Sequence, residues 1–299
     1  MEAIARQGLR PLIAIWVALA MLAAAGTDGA MDGWSTGSRL CATVIAYTLW
    51  GAGLVTMLVP RTSSLSVARA VVPTCCAAAI TAAGWSHAPT APSVLLGVSA
   101  ASAFLLMLAP WTTDAFVNGS SYGPEQRFAL RTPVVVALVT IPVWILIPIG
   151  ALSGPLLLAD GRIAPGIAAI LFGLPACAFA LKALHQLSRR WIVLVPSGMV
   201  VHDPLTLPEA QLFLRQSIGR LGPALEPNDA LDQELSITTE DLTAGATGLA
   251  LAIELNEPVD LLVRTKRDAQ VRSVDRVLFT PLRATALLKA ARAHRLSVG

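Results

Sequence analysis

Long uncharged stretches of apolar residues dominate the first two thirds of the chain. A helix needs about 20 apolar residues to cross the hydrocarbon core of a bilayer, and its internal hydrogen bonds satisfy the backbone polar groups there. No Asp, Glu, Lys, Arg or His interrupts any of these stretches. The pattern therefore predicts a bundle of about six transmembrane helices. The stretches are Pro11–Gly26, Leu40–Pro60, Ala70–Ser86, Pro92–Trp111, Thr132–Ala159 and Ile163–Leu181.

The fifth stretch is long for one span, and it contains three prolines. Proline removes a backbone donor and kinks or breaks a helix. We expect a kinked span that ends near Gly150, followed by a short re-entrant or loop piece. The prolines are Pro142, Pro148 and Pro155.

The interior of the predicted spans offers no ionisable group. Ion-coupled carriers usually hold such groups within the membrane, so the pattern disfavours a proton-driven carrier. Small residues four apart, such as Gly150 and Gly154, let helix backbones approach closely. They serve either packing within the chain or a surface for another membrane protein.

Lys and Arg in the short connections predict the orientation. If the N-terminus is cytoplasmic, nine of them lie in inside segments, whereas only Arg39 and Arg162 lie outside. The first span begins with Arg6 and Arg10 and ends in Ala23–Ala25, which is typical of an uncleaved signal anchor or of a cleaved signal peptide. We predict a multi-pass protein of the cell membrane with both termini in the cytoplasm.

After residue 190 the pattern changes to short β-type runs. Trp191–Val195 and Met199–His202 predict a hairpin around Pro196–Gly198. Thr280-Pro281 predicts the start of a last helix that runs to about His294. Several short strands followed by one helix is the order of a pleckstrin-homology-like barrel, and a generic small α+β domain is the alternative. The other predicted strands are Gln211–Leu214, Ser217–Leu221, a hairpin of Gly248–Leu255 with Val259–Arg264, and Val274–Phe279, while the acidic Glu226–Asp241 predicts a solvated loop.

Composition indicates that the part before residue 190 is suited to lipid and the part after it to water. The chain is 55% hydrophobic and 14% charged, with a mean hydropathy of +0.64, whereas an ordinary soluble domain is about 25% charged. The first 190 residues carry 17 charged side chains and the last 109 carry 24. We predict a transmembrane helical bundle over residues 1–190 and a cytoplasmic β-rich domain over residues 191–299. The composition argues against a soluble single-domain enzyme, a disordered protein, a disulfide scaffold and a nucleic-acid binder.

Three stretches together carry a family resemblance: Phe116–Arg127, Arg190–Gly198 and Val277–Pro281. With them the chain resembles uncharacterised polytopic membrane proteins of high-GC Gram-positive bacteria over most of residues 90–299. The high usage of Ala, Gly and Pro, and of Arg over Lys, agrees with such a source. The resemblance implies no activity, cofactor or site residue.

Two surfaces are candidate binding sites. The connection between the fourth and fifth predicted spans mixes charged and aromatic residues, and it is either a plain connector or a docking surface for Trp191–Asp203 or for a partner protein. The last predicted helix has a basic side, which is either a solvated face or a contact with anionic lipid headgroups, worth about 1 kcal/mol per residue near such a surface. The docking residues are Asp114, Phe116, Tyr122, Glu125, Arg127 and Arg131, and the headgroup residues are Lys289, Arg292 and Arg295.

Signals of enzyme chemistry are weak. Gly119–Gly123 matches the G-x-S-x-G nucleophile pattern, which requires a strand-to-helix elbow with a His and an acid nearby. His202-Asp203 at a strand end offers a metal ligand or a base, but such a pair is ordinary at that position. The four cysteines lack the spacing of a zinc site and are typical of small apolar filler. We therefore predict no catalytic residue, no metal and no cofactor.

These patterns lead to a functional expectation. The chain is expected to be a non-enzymatic scaffold, assembly or regulatory factor that binds a protein or a lipid surface through its cytoplasmic domain. Its partners would be membrane lipid and another membrane or envelope protein, not nucleic acid. The alternative is a permease or channel-like carrier for a neutral or lipidic substrate, because broken helices in the proline-containing last spans can line a pathway. A third hypothesis is a membrane-embedded enzyme that acts on lipid through the connection at 114–131.

Overall fold

The chain divides into two compact units, each built from two stretches of sequence. The first unit is Met1–Gly119 with Val139–Ser188, and the second is Ser120–Leu138 with Arg189–Gly299. Residues 120–138 belong to the second unit because a short strand within them pairs with the strand that begins at Trp191. The predicted domain boundary at residue 190 assigns these residues to the helical bundle. The computed structural model describes residues 2–27, 29–84, 90–224, 237–265 and 268–299.

Helices account for most of the described residues before Trp191. Six of these helices are long and apolar enough to cross a membrane, in agreement with the six predicted spans. The short α5 follows α4 directly. The helices are α1 (Glu2–Gly26), α2 (Thr36–Leu58), α3 (Thr62–Gly84), α4 (Ala91–Leu108), α5 (Pro110–Asn118), α6 (Val134–Ala159) and α7 (Ile163–Ser188).

α6 is one continuous helix through its three prolines, so the predicted end near Gly150 is wrong. Its second half packs closely on α7. A Cβ built on Gly150 would lie 3.0 Å from the carbonyl oxygen of Gly173, and one built on Gly154 would lie 2.5 Å from Cγ1 of Ile170. This contact between small residues stabilises the part of α6 that follows the prolines. It is packing within the chain, one of the two roles that the spacing of Gly150 and Gly154 predicts.

Polar side chains join α3 and α7 at positions that lie outside the predicted transmembrane spans. The Ser66 hydroxyl lies 3.1 Å from Nδ1 of His185, and Nη1 of Arg69 donates to Oγ of Ser188 over 3.1 Å. Both helices continue beyond the predicted spans, α3 at its start and α7 at its end. The sequence places these residues outside the spans, whereas the helices bring them together.

The second unit contains two four-stranded sheets in its described residues. One sheet is antiparallel with the order β1-β2-β3-β4, and the other has the order β5-β7-β8-β6 with β6 parallel to β8. The elements are β1 (Gln126–Ala129), β2 (Trp191–Val195), β3 (Gly198–His202), β4 (Gln211–Leu214), β5 (Ile218–Pro223), β6 (Thr239–Asp241), β7 (Leu251–Arg264), β8 (Ala269–Phe279) and α8 (Ala284–Ala293).

One hydrophobic core joins both sheets and α8. Strand side chains alternate between two faces, and the inward ones of β2 are Ile192 and Leu194, both fully buried. Phe213 and Phe279 contribute from the two sheets, and Leu287 contributes from α8. The predicted strands at 191–195, 211–214 and 274–279 are confirmed, as is the β2–β3 hairpin.

Strand β7 corrects the predicted hairpin around Asn256–Pro258. The strand runs through this segment with an irregularity between Glu254 and Val259, and it pairs with β8 on both sides of it. The backbone N–H of Asn256 donates to the carbonyl of Ser217, and its side-chain amide donates to the carbonyl of Gln216. These bonds hold the segment against the start of β5, so it forms a bulge instead of a turn.

The start of the last helix also differs from the prediction. Thr280 and Pro281 continue the strand pairing, because the carbonyl of Thr280 accepts from the N–H of Arg131 and Pro281 bridges Leu130. α8 therefore begins at Ala284 without a side-chain cap. Of the predicted acidic loop, residues 226–236 lie outside the described residues, and Thr239–Asp241 form β6.

Candidate functional site

The six residues of the predicted docking surface divide between the two units. Asp114 and Phe116 lie on α5 in the first unit, where they are 7% and 0% exposed. The end of α5 also lies close to other backbone, since a Cβ on Gly119 would lie 2.2 Å from the carbonyl oxygen of Pro60. These two residues are therefore packing residues of a helix and do not belong to an exposed connection.

The other docking residues surround strand β1 in the second unit. Arg127 stands opposite Val193 in the β1–β2 ladder, with its guanidinium 5.8 Å from the ring centre of Trp191. Glu125 Oε2 accepts from Nη2 of Arg127 over 3.4 Å, and Tyr122 is 79% exposed. The structure thus places this part of the connection against the segment 191–203. Of the two docking targets considered from the sequence, a partner protein and Trp191–Asp203, this is the one within the chain.

A buried charge pair ties β1, β2 and the end of β3 together. Nε and Nη2 of Arg190 each donate to Asp203 over 2.7 Å, while Nη1 donates to the carbonyl of Arg131 over 2.7 Å. The two charged side chains are 2% and 0% exposed. Asp203 also accepts from the N–H of Leu205. This two-point geometry is the strongest form of charge-assisted hydrogen bonding between side chains.

His202 and Asp203 have structural contacts in place of the metal or base role considered for them. The His202 ring stacks on Trp191 with centroids 4.7 Å apart, and its Nδ1 lies 2.6 Å from the carbonyl oxygen of Arg189. Asp203 is occupied by Arg190. Among the described residues no group of three or more His, Cys, Asp or Glu side chains is arranged to hold a metal ion.

The G-x-S-x-G match lacks the local structure that gives it meaning. Helix α5 precedes Gly119–Gly123 and strand β1 follows it. The nucleophile elbow requires the reverse order, a strand before the serine and a helix after it.

The basic side of α8 is exposed. Lys289 and Arg292 lie on the side opposite the buried Leu287 and Ala291, and Arg295 follows at the end of the helix. The sequence contains no acidic residue from Thr280 to Gly299. In the described part of the chain, no acidic side chain forms an ion pair with Lys289, Arg292 or Arg295.

The first unit contains a feature that the sequence does not indicate, a cavity of about 730 Å³. Its walls are α1, α2, α3 and α6, together with Leu96 of α4 and the connection between α1 and α2, and it is half-enclosed. Among the residues that the structure describes, those that line it carry no charge. Ligand pockets typically measure about 300–1,000 Å³, so the cavity has the size of a binding site and exceeds any packing defect.

No family model matches the chain, and no similar curated protein or solved structure is found.

Proposed function

We propose that the chain is a non-enzymatic scaffold or regulatory protein of the cell membrane whose second unit binds an anionic lipid surface through Lys289, Arg292 and Arg295. One observation carries the proposal: the exposed side of α8 is basic, and the last 20 residues contain no acidic side chain. Each such residue contributes about 1 kcal/mol near an anionic leaflet. A protein partner in place of lipid is the other outcome of the test.

The orientation of the proposal rests on the Lys and Arg residues of the connections. Arg61 lies between α2 and α3, Arg127 and Arg131 lie between α5 and α6, and Arg189 and Arg190 follow α7, while Arg6 and Arg10 lie near the start of α1. With these segments inside, both termini and the second unit lie in the cytoplasm. That side of a cell membrane carries the anionic lipids that a basic helix would contact.

A pleckstrin-homology-like architecture for the second unit is part of this proposal. Two four-stranded sheets that share one core with a C-terminal helix support it. Two features depart from a barrel made of one continuous segment. The first strand is contributed by residues 126–129, and β6 is parallel to its neighbour.

The test compares hydrogen exchange of α8 in two bilayers. The full chain is placed in nanodiscs of phosphatidylcholine alone or of phosphatidylcholine mixed with phosphatidylglycerol. We expect slower exchange of α8 amides in the anionic discs, and loss of that difference in the triple variant Lys289→Gln, Arg292→Gln, Arg295→Gln. High salt should also abolish the difference, because exposed charges are screened.

A matched control replaces two basic residues elsewhere on the same unit. Arg215 and Arg264 are also exposed, so Arg215→Gln with Arg264→Gln removes charge without touching α8. This variant should keep the protection. Equal exchange in both bilayers, or a triple variant that behaves like the native chain, would overturn the lipid-surface proposal. Protection that appears only with a co-purified protein would favour a protein partner.

The carrier alternative keeps one supporting observation. The sequence suggests a carrier because prolines can break the last two spans, but α6 and α7 run through their prolines without a break. The cavity in the first unit supports binding of an apolar molecule, and this is the part of a carrier function that the geometry favours.

A further inference from the structure

We propose that the cavity of the first unit is a binding site for one hydrocarbon chain of a membrane lipid. The site is separate from the headgroup contact proposed for α8, and neither proposal depends on the other. Three features of the cavity support such a ligand: the chemistry of its walls, the anchoring of one wall, and its size.

The walls leave few hydrogen-bond donors for a polar ligand. The indole N–H of Trp16 donates to the carbonyl of Trp50 over 2.9 Å, and the indole N–H of Trp50 donates to the carbonyl of Trp16 over 2.8 Å. Both donors are therefore occupied within the protein. A polar molecule placed against these rings would lose its bonds to water without replacement, which is unfavourable.

The threonines that line the cavity are occupied in the same way. Each donates its hydroxyl to a backbone carbonyl of its own helix. Their donor protons are thus used within the protein, and a ligand would find only their methyl groups and acceptor oxygens. The bonds are Thr27 to Ala23, Thr43 to Arg39, Thr74 to Ala70 and Thr81 to Ala77.

One wall of the cavity is rigidly anchored. Trp16 is fully buried, and Gly53 on α2 makes room for it, because a Cβ on Gly53 would lie 2.5 Å from Cζ2 of the indole. The reciprocal indole bonds then fix α1 against α2 at this level. Many of the other lining positions are alanines, including Ala20, Ala46 and Ala78, and they alternate with larger apolar residues such as Leu152 and Leu156. Small side chains on anchored helices leave a persistent gap that lipid can enter.

The size of the cavity suits a hydrocarbon chain, because about 730 Å³ lies within the range of ligand pockets. A single flexible chain fits this space and is what surrounds helices of this composition in a bilayer.

The rim of the cavity is suited to the polar end of a lipid. Trp34, in the connection between α1 and α2, lines the cavity and is 39% exposed. Aromatic residues with a polar edge favour the boundary between hydrocarbon and headgroups. A lipid with its chain among α1, α2, α3 and α6 would therefore place its headgroup near the connection between α1 and α2.

The test is photo-cross-linking of the full chain in nanodiscs that contain phosphatidylcholine with a diazirine in one acyl chain. We expect cross-linked peptides to concentrate on the lining segments of α1, α2, α3 and α6. In the filled variant Ala46→Phe with Ala78→Phe the yield at these segments should fall severalfold, because the two rings occupy the space that the acyl chain would take. Both alanines face open space, so the larger side chains fit without displacing neighbours.

Two controls separate the cavity from general contact with lipid. Ala101→Phe adds one such ring at an exposed position of α4 outside the cavity, and it should leave the cross-linking pattern unchanged. The triple α8 variant should also cross-link like the native chain, so a failure of one proposal is distinguishable from a failure of the other. Cross-links spread evenly over all lipid-facing helices, with equal yield in the filled variant, would overturn the inference. A co-purifying protein cross-linked at these segments would do the same.

Discussion

The two units satisfy their buried polar groups in different ways. In the first unit hydroxyls and indoles close onto backbone carbonyls, and helices meet through glycines such as Gly150 and Gly173. In the second unit a guanidinium and a carboxylate are buried together, and they bond to backbone from a third segment. The polar bonds of the first unit thus lie within one helix or between two neighbouring helices, whereas the second unit keeps a charge pair at the point where its segments meet.

The largest expected effect comes from breaking that pair. Asp203→Asn leaves the Arg190 guanidinium buried without its counter-charge, and we expect a loss of about 3–5 kcal/mol in the free energy of unfolding of the second unit. Pulse proteolysis of the full chain over a series of urea concentrations measures this loss. Glu254→Gln is the matched control, because the Arg220–Glu254 pair is about one third exposed and should contribute less than about 1 kcal/mol.

The double variant Arg190→Met with Asp203→Leu sharpens this prediction. It removes both charges and keeps apolar volume, so it should regain most of the lost stability. If Asp203→Asn and Glu254→Gln cost the same, the buried pair does not hold the unit together and the contrast between the units is lost.

The sequence contains enough information to find this pair. The predicted hairpin at Pro196–Gly198 puts Trp191 opposite His202, and the same register puts Arg190 opposite Asp203. The interpretation of His202-Asp203 as an ordinary polar pair at a strand end did not use this register to find the partner of Asp203. Strand β1 is different, because Gln126–Ala129 is only four residues long and its partner strand begins after two long helices. A strand of that length has no periodic pattern by which to predict it.

The helices of the first unit are well predicted because their apolar stretches are long. The cavity between them is not predicted by the sequence. Ala46 and Ala78 resemble the small residues that pack helices together, such as Gly150 and Gly154. Sequence spacing does not distinguish a small residue that meets a neighbouring helix from one that faces open space. That distinction depends on how the helices diverge, which the Trp16–Trp50 bonds and the contact of Gly53 determine.

A smaller effect is expected from separating α6 and α7. A Cβ on Gly173 would lie 2.3 Å from the carbonyl oxygen of Gly150, so Gly173→Leu forces the two helices apart at a cost of about 1–3 kcal/mol. The loss is measured as the shift in an SDS-unfolding curve of the full chain in mixed micelles. Gly51→Leu is the control, since nothing lies within 4 Å of a Cβ at that position of α2. Equal unfolding curves for both variants would mean that close contact at Gly173 does not hold α6 and α7 together.

The smallest expected effect concerns the strand that the second unit takes from the connection before α6. Arg127→Glu removes the guanidinium from above Trp191 and places a second carboxylate beside Glu125, and we expect a loss of about 1 kcal/mol. The readout is faster proteolysis of residues 191–299 in the full chain, because β1 covers the free edge of β2. Arg127→Lys keeps the charge and should retain most of the protection. Unchanged protection in Arg127→Glu would mean that the backbone ladder alone holds β1 in place, and that the charged and aromatic side chains of this connection are free for a partner.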